Sequence, residues 1–250
     1  MSAGLTAVLA LAVLVTATLS GIFGMAGGMV LMGVLAWALP VGAAMMLHGT
    51  TQAVSNGYRA VLNRHDIQWH LMAGYALGAA AAAAFFMAVA IVPGKATVFL
   101  VLGSVPFIAA ALPQRVALDI TRPGIALLSG FLITGVNLVA GVAGPLLDIF
   151  YVRTGLTRHQ VVASKAVTQT VSHLMKLVYF GLLTATLDGM TVLPWWAYAM
   201  VIPLAMIGTA LGKQALDRMT DGHFRRWSRW IVLGLGAVFL ARGIALLIGA

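Results

Sequence analysis

Apolar residues run almost without interruption along this chain, and short polar connections cut them into ten segments: 3–22, 25–39, 41–62, 68–92, 95–112, 123–140, 142–152, 158–182, 191–212 and 230–249. Eight of them have the length of a helix that crosses a hydrocarbon core, for which about 20 residues are needed. Segments 25–39 and 142–152 are too short for a comfortable crossing and predict half-helices. Each follows a glycine-bearing break, Gly21 to Gly28 in the first half and Gly141-Val142-Ala143-Gly144-Pro145 in the second. Glycine permits a tight reversal and proline removes a donor, so the chain can turn back inside the membrane wherever protein or water satisfies the freed backbone groups. Broken or re-entrant helices are therefore expected at both breaks.

Five segments fall in each half, and the halves repeat. Thr51-Gln52-Ala53-Val54-Ser55 returns as Thr168-Gln169-Thr170-Val171-Ser172 at an offset of 117 residues. The same ungapped offset sets Gly24 on Gly141, Gly27 on Gly144, His48 on Lys165 and Arg59 on Lys176. The expected organisation is one transmembrane domain over 1–250, built from repeats at approximately 1–117 and 118–250.

Composition restricts the class. With 61% hydrophobic and 8% charged residues the chain cannot coat a soluble globule, and no charged stretch is long enough for an aqueous domain. The 28 glycines suit close helix packing in lipid, and Gly74-x-x-x-Gly78 and Gly208-x-x-x-Gly212 read as packing contacts. With no cysteine there is no disulfide, thiolate metal site or cysteine nucleophile. No Lys or Arg precedes the first segment, which is expected to be a retained span and not a signal peptide.

The net charge of +9 comes mostly from cations in the connections, the pattern of a topology signal and not of a nucleic-acid surface. Arg59 and Arg64, Arg115 and Arg122, Arg153 and Arg158, and Lys213, Arg218, Arg225, Arg226 and Arg229 mark four connections as cytoplasmic. The stretch around Pro40 has no cation, Pro93-Gly94-Lys95 has one, and 183–194 has only Asp188. These face outward. Five direction reversals per repeat then make the two copies antiparallel. The predicted fold is an all-α polytopic membrane protein with two inverted-topology repeats, a plan many secondary transporters use around a midplane site.

Candidate chemistry follows the repeat. His48, Thr51, Gln52, Ser55 and Arg59 share one face of the third segment, and Lys165, Thr168, Gln169, Ser172 and Lys176 share one face of the eighth. Asn56 and His173 adjoin these stripes. Hydroxyls and amides can donate to a desolvated oxyanion while cations offset its charge; the same groups also join helices by interhelical hydrogen bonds. Lys165 lies seven residues into its segment, where an unpaired ammonium costs about 2.5–3.5 kcal/mol on the insertion scale. It either pairs with Asp148 or serves an anion, alone or shared with Asp148. Arg59 and Lys176 lie nearer segment ends and read as entrance residues, or as side chains that snorkel to the interface. His48 titrates or hydrogen-bonds, and His173 is a candidate charge or coupling partner. Asn137 caps a half-helix or meets substrate, and half-helix N-termini at Gly24/Gly27 and Gly141/Gly144 would offer free N–H groups to an anion. No zinc helix, nucleophile elbow, phosphate loop or intramembrane carboxylate cluster is present, so neither an enzyme, a cofactor nor a metal is expected.

The glycine-rich break near the N-terminus, its echo after residue 135, and the run from Gly144-Pro145-Leu146-Leu147-Asp148 through Thr157-Arg158-His159-Gln160 to Lys165-Ala166-Val167-Thr168-Gln169 resemble the TauE/SafE family of sulfite and organosulfonate exporters. The resemblance covers nearly the whole chain, with departures from the fuller glycine motif at Ala26, Ala143 and Pro145. It implies multi-pass transport at a bacterial cytoplasmic membrane, with a small sulfur oxyanion such as sulfite, or a related carboxylated or sulfonated anion, as substrate. The expectation is a secondary transporter working outward by alternating access, against the alternatives of an anion channel or a membrane scaffold. Its expected partners are the anion, the lipid bilayer and a second copy of the chain.

Overall fold

The computed structural model describes residues 1–23, 25–112, 118–186, 192–216 and 221–249. Among them are ten α-helices and no strand: α1 Ala3–Phe23, α2 Met25–Ala38, α3 Val41–Leu62, α4 Trp69–Val89, α5 Lys95–Ala111, α6 Ile125–Ala140, α7 Gly144–Ile149, α8 Arg158–Thr186, α9 Trp195–Leu216 and α10 Asp221–Leu247. Each matches one segment of the hydrophobic pattern. The differences lie at the ends. α7 is only six residues long, whereas α8 continues to Thr186 and reaches 29 residues, about 43 Å at the usual rise. Gly181 does not stop it, because glycine weakens a helix without blocking its hydrogen bonds.

Four helices, α1, α4, α9 and the part of α10 from Trp230, are long and apolar enough to span a bilayer. α3 and α8 have the length but carry the polar stripes. They pack against each other in the middle of the molecule, where protein and not lipid meets their polar faces.

The most extensive helix pairs are α1 with α9, α4 with α6, α3 with α8, and α5 with α10. Replacing each helix by the one five places along exchanges the first two pairs and returns the other two to themselves. Close glycine contacts give the directions. Gly208 meets Leu14, Ala17 and Thr18 while Gly212 meets Thr18 and Gly21, so α1 and α9 are parallel. Gly74 meets Ala126 and Gly78 meets Leu127 and Phe131, so α4 and α6 are parallel too. Gly49 meets Leu177 and Gly57 meets Thr170, and Gly243 meets Leu100 while Gly236 meets Phe107; both of these pairs are antiparallel. Every relative direction agrees with the orientation read from the basic connections, as inverted repeats require.

That orientation predicts that Arg64→Cys and Asp221→Cys, each the only thiol in its chain, react with an impermeant maleimide from the same face of a sealed vesicle. Labelling from opposite faces would rule the orientation out.

Two apolar clusters fill the interior. One contains Leu47, Tyr179 and Leu183, the other Ala60, Ala163 and Ala166. On α3 the residues between Leu47 and Ala60, and on α8 those between Ala166 and Tyr179, are the polar stripes. The polar groups therefore form a layer between two apolar ones, at mid-depth along both helices.

Candidate functional site

Two broken helices bring backbone to this polar layer. α2 folds back on α1 so tightly that a Cβ on Gly27 would run into the Thr16 carbonyl and Ser20. The hairpin expected at the first break is formed, although Gly24 itself lies outside the described residues. At the second break α6 ends on Gly141, which adopts φ 79° and donates its N–H to the Asn137 carbonyl at 2.8 Å. This is a left-handed helix cap, and a Cβ there would collide with Met32, so only glycine suits the position. Pro145 then sits in the first turn of α7, where its missing N–H costs nothing.

The break at Gly141 is occupied by a cation. Lys176 Nζ donates to the Gly141 carbonyl at 3.0 Å, approaches Asn137 Oδ1 at 3.5 Å and meets His48 Nδ1 at 2.8 Å. Lys176 is fully buried. The other nitrogen of His48 faces the Gly28 carbonyl at 3.0 Å. A carbonyl can only accept, so Nε2 carries the proton and Nδ1 offers its lone pair to Lys176 Nζ; this assigns a neutral His48 as acceptor. Asn137 Nδ2 donates to Ser172 Oγ at 3.0 Å and lies 3.4 Å from His173 Nδ1. His173 stacks edge-on against His48 with ring centroids 5.4 Å apart.

Arg59 makes the matching contact in the first repeat, donating from Nη2 to the Ser20 carbonyl at 2.8 Å. Ser20 and Asn137 are related by the repeat offset. In both halves, then, the third helix sends a cation to the C-terminal carbonyls of the first, where the helix dipole is negative.

A cavity opens in front of Lys176. His48, Gln52 and Asn56 line it from α3, and Gln169, Ser172 and His173 from α8. The breaks contribute Gly28 on one side and Asn137, Ala143 and Gly144 on the other. Gln52 is nine-tenths buried, and its Nε2 has no hydrogen-bond partner. No carboxylate is among the lining residues. The space measures about 20 Å³ for the centre of a water molecule, room for roughly one water and too tight for a multi-atom anion without some opening.

The structure revises several positions expected from the sequence. Lys176 is not near a segment end and does not snorkel: α8 runs ten residues beyond it, which puts it at mid-depth. Arg59 is likewise turned inward to Ser20. Lys165 is the more peripheral cation. It contacts Asp148, and the two side chains are 19% and 45% exposed. Next to it, Ser164 Oγ accepts from the Gln68 amide of the α3–α4 connection, so this end of α8 lies by the loop and not deep in the membrane.

Thr51, Ser55 and Thr168 are buried without lining the cavity. Thr51 and Thr168 donate to carbonyls of their own helices, and Ser55 Oγ joins Thr209 Oγ1 of α9 at 2.7 Å. Gly27 and Gly141 act through close packing and a cap. Of the lining residues, Gly28 and Ala143 carried no side-chain signal. Asn56 adjoined the stripe four residues after Gln52, but its counterpart in the repeat is His173, so matching of like residues did not single it out for binding.

The family model described as "Sulfite exporter TauE/SafE" matches residues 9–239. No curated protein and no solved structure matches the chain.

Proposed function

The chain belongs to the TauE/SafE family of sulfite exporters, which makes it a membrane transporter and not an enzyme, and we propose that it moves sulfite or a similarly small organosulfonate outward across a bacterial cytoplasmic membrane by alternating access. The observation that carries this reading is Lys176: a fully buried lysine whose three partners are neutral acceptors, next to a cavity without a carboxylate. An ammonium in that setting retains an unbalanced positive charge, expensive in the membrane unless an anion completes it.

In this reading Lys176 attracts the anion from behind His48 and Asn137, and its field does so without direct contact. At roughly 7 Å and an effective dielectric constant near 20, a unit pair still interacts by about 2 kcal/mol. Gln52, Gln169, Asn56 and the free face of His173 supply hydrogen bonds. Lys165 and Asp148 mark the approach on the side of the Arg64 loop. Thr51, Ser55, Thr168, Gly27, Gly141 and Arg59 hold the wall in shape.

Outward movement needs no further ion. At about 100 mV, inside negative, each departing negative charge gains about 2.3 kcal/mol, so a dianion gains about 4.6, enough for roughly a thousandfold gradient. The test is flux of labelled sulfite through purified protein in liposomes. Saturable flux that follows an imposed potential is expected. Non-saturating conductance would indicate a channel, and no movement of any small oxyanion would refute transport of this class.

A further inference from the structure

Two tyrosines lie in the apolar cluster between the polar layer and the loop that carries Arg64. Tyr75 of α4 is fully buried and Tyr151, in the turn after α7, is 4% exposed. The hydroxyl oxygen of each is hidden from solvent and lies near other hydroxyls without reaching good hydrogen-bond geometry. A buried hydroxyl without a well-formed hydrogen bond is destabilising, so two in one neighbourhood call for a reason. Tyr75 interacts with Tyr151 and points its hydroxyl toward Ser172 and Thr134; the Tyr151 hydroxyl points toward Thr168.

α8 sets their order. Lys165, Thr168, Ser172 and Lys176 follow one another at turn spacing along one face. Lys165 is partly exposed with Asp148 at the loop end, and Ser172 lines the cavity. Tyr151 by Thr168 and Tyr75 by Ser172 therefore follow in sequence from the exposed ion pair toward the cavity, and both rings belong to the apolar cluster on that side.

We propose that Tyr75 and Tyr151 form the gate on the Arg64 side, closed in this structure, and that their hydroxyls become donors to a small oxyanion as it passes from the Lys165–Asp148 mouth to the cavity. The oxyanion rests on the transport reading above; the gate does not. A hydroxyl whose neighbours are poorly placed in the closed state gives up little when it turns to an anion. This accounts for tyrosine at positions where phenylalanine would pack as well.

Gln169→Cys places one thiol on the cavity wall of a chain that has no cysteine. A charged, impermeant methanethiosulfonate added from the Arg64 side is expected to label it about tenfold faster once Tyr75→Ala and Tyr151→Ala together remove the plug. Unchanged labelling, or acceleration only from the opposite side, overturns the gate. Should the double variant fail to fold, Tyr151→Ala alone is read by the same criterion. The Tyr75→Phe, Tyr151→Phe pair keeps ring volume. It is expected to leave the melting temperature equal or higher and to lower sulfite flux about fivefold, the scale of a lost hydrogen bond to a charged group; wild-type flux overturns the donor role. Accelerated labelling in a protein whose wild-type liposomes move no sulfite would retain the gate and overturn the transport reading instead.

Discussion

Lys176→Gln is expected to weaken sulfite binding roughly 30- to 150-fold, the equivalent of about 2–3 kcal/mol, while the protein still folds. Glutamine keeps an N–H donor for the neutral acceptors that now surround the ammonium, and it is short enough to fit a fully buried position. It therefore separates the charge from the hydrogen bond at the Gly141 break. If Lys176 only caps the end of α6, glutamine preserves most of that role and affinity stays within about threefold, since a cap contributes roughly 1 kcal/mol to the fold and nothing to the ligand. Calorimetric titration of sulfite into detergent-solubilised protein distinguishes the outcomes. Removing the charge also relieves its burial, so a melting temperature equal to wild type alongside lost affinity would identify the ammonium as a ligand-directed group.

Gly78→Ala and Gly181→Ala are expected to move stability in opposite directions. At Gly78 a Cβ would fall onto the Leu127 carbonyl and crowd the Phe131 amide, and backbone cannot move aside as a flexible side chain can. α4 and α6 would have to separate, at a cost of about 3 kcal/mol by comparison with overpacked cores, or roughly 6–12 °C in melting temperature for a chain of this length. That separation would also displace Tyr75 and Asn137, so binding should fall with stability. At Gly181 a Cβ meets nothing within 4 Å, and alanine is the better helix former by about 1 kcal/mol. A small gain is expected there, read by the same thermal melt. A loss at Gly181 or a neutral result at Gly78 would mean that the helix interfaces differ from those described.

The distinction between Lys165 and Lys176 shows where reading the chain reached its limit. Both are lysines on one face of one helix, eleven residues apart. Depth along that helix depends on where it begins and ends, and the apolar pattern placed its end near residue 182. The helix continues to Thr186, which moves the midpoint toward Lys176. The partner of each lysine is then a matter of what packs opposite. Asp148 was legible as a partner for Lys165 because the two lie close in sequence on either side of a short connection. His48 was not legible as a partner for Lys176, since 128 residues separate them and only the antiparallel packing of α3 on α8 brings them together.

The stripes divide in the same way. Spacing placed Gln52 and Ser55 on one helical face, but a face about 100° wide meets more than one neighbour. Gln52 turned to the cavity and Ser55 to Thr209 of α9. No pattern along one helix distinguishes these, because the difference lies in the neighbouring helix.

By itself the sequence determined that this is a membrane protein, the order of the helices among the described residues, the break at Gly141 and the relative directions that the packed pairs adopt, which are those of inverted repeats. These follow from local rules: apolar length against bilayer thickness, glycine and proline against helix continuity, and basic residues against the membrane faces. Only the tertiary structure decided which cation is buried and which is partly exposed, and which polar side chains share a cavity and which join helices. In lipid, helices associate through close packing and sparse hydrogen bonds and not through a hydrophobic drive between them. Which faces meet is thus set by where glycines let backbones touch, a property of pairs of helices that no single segment contains.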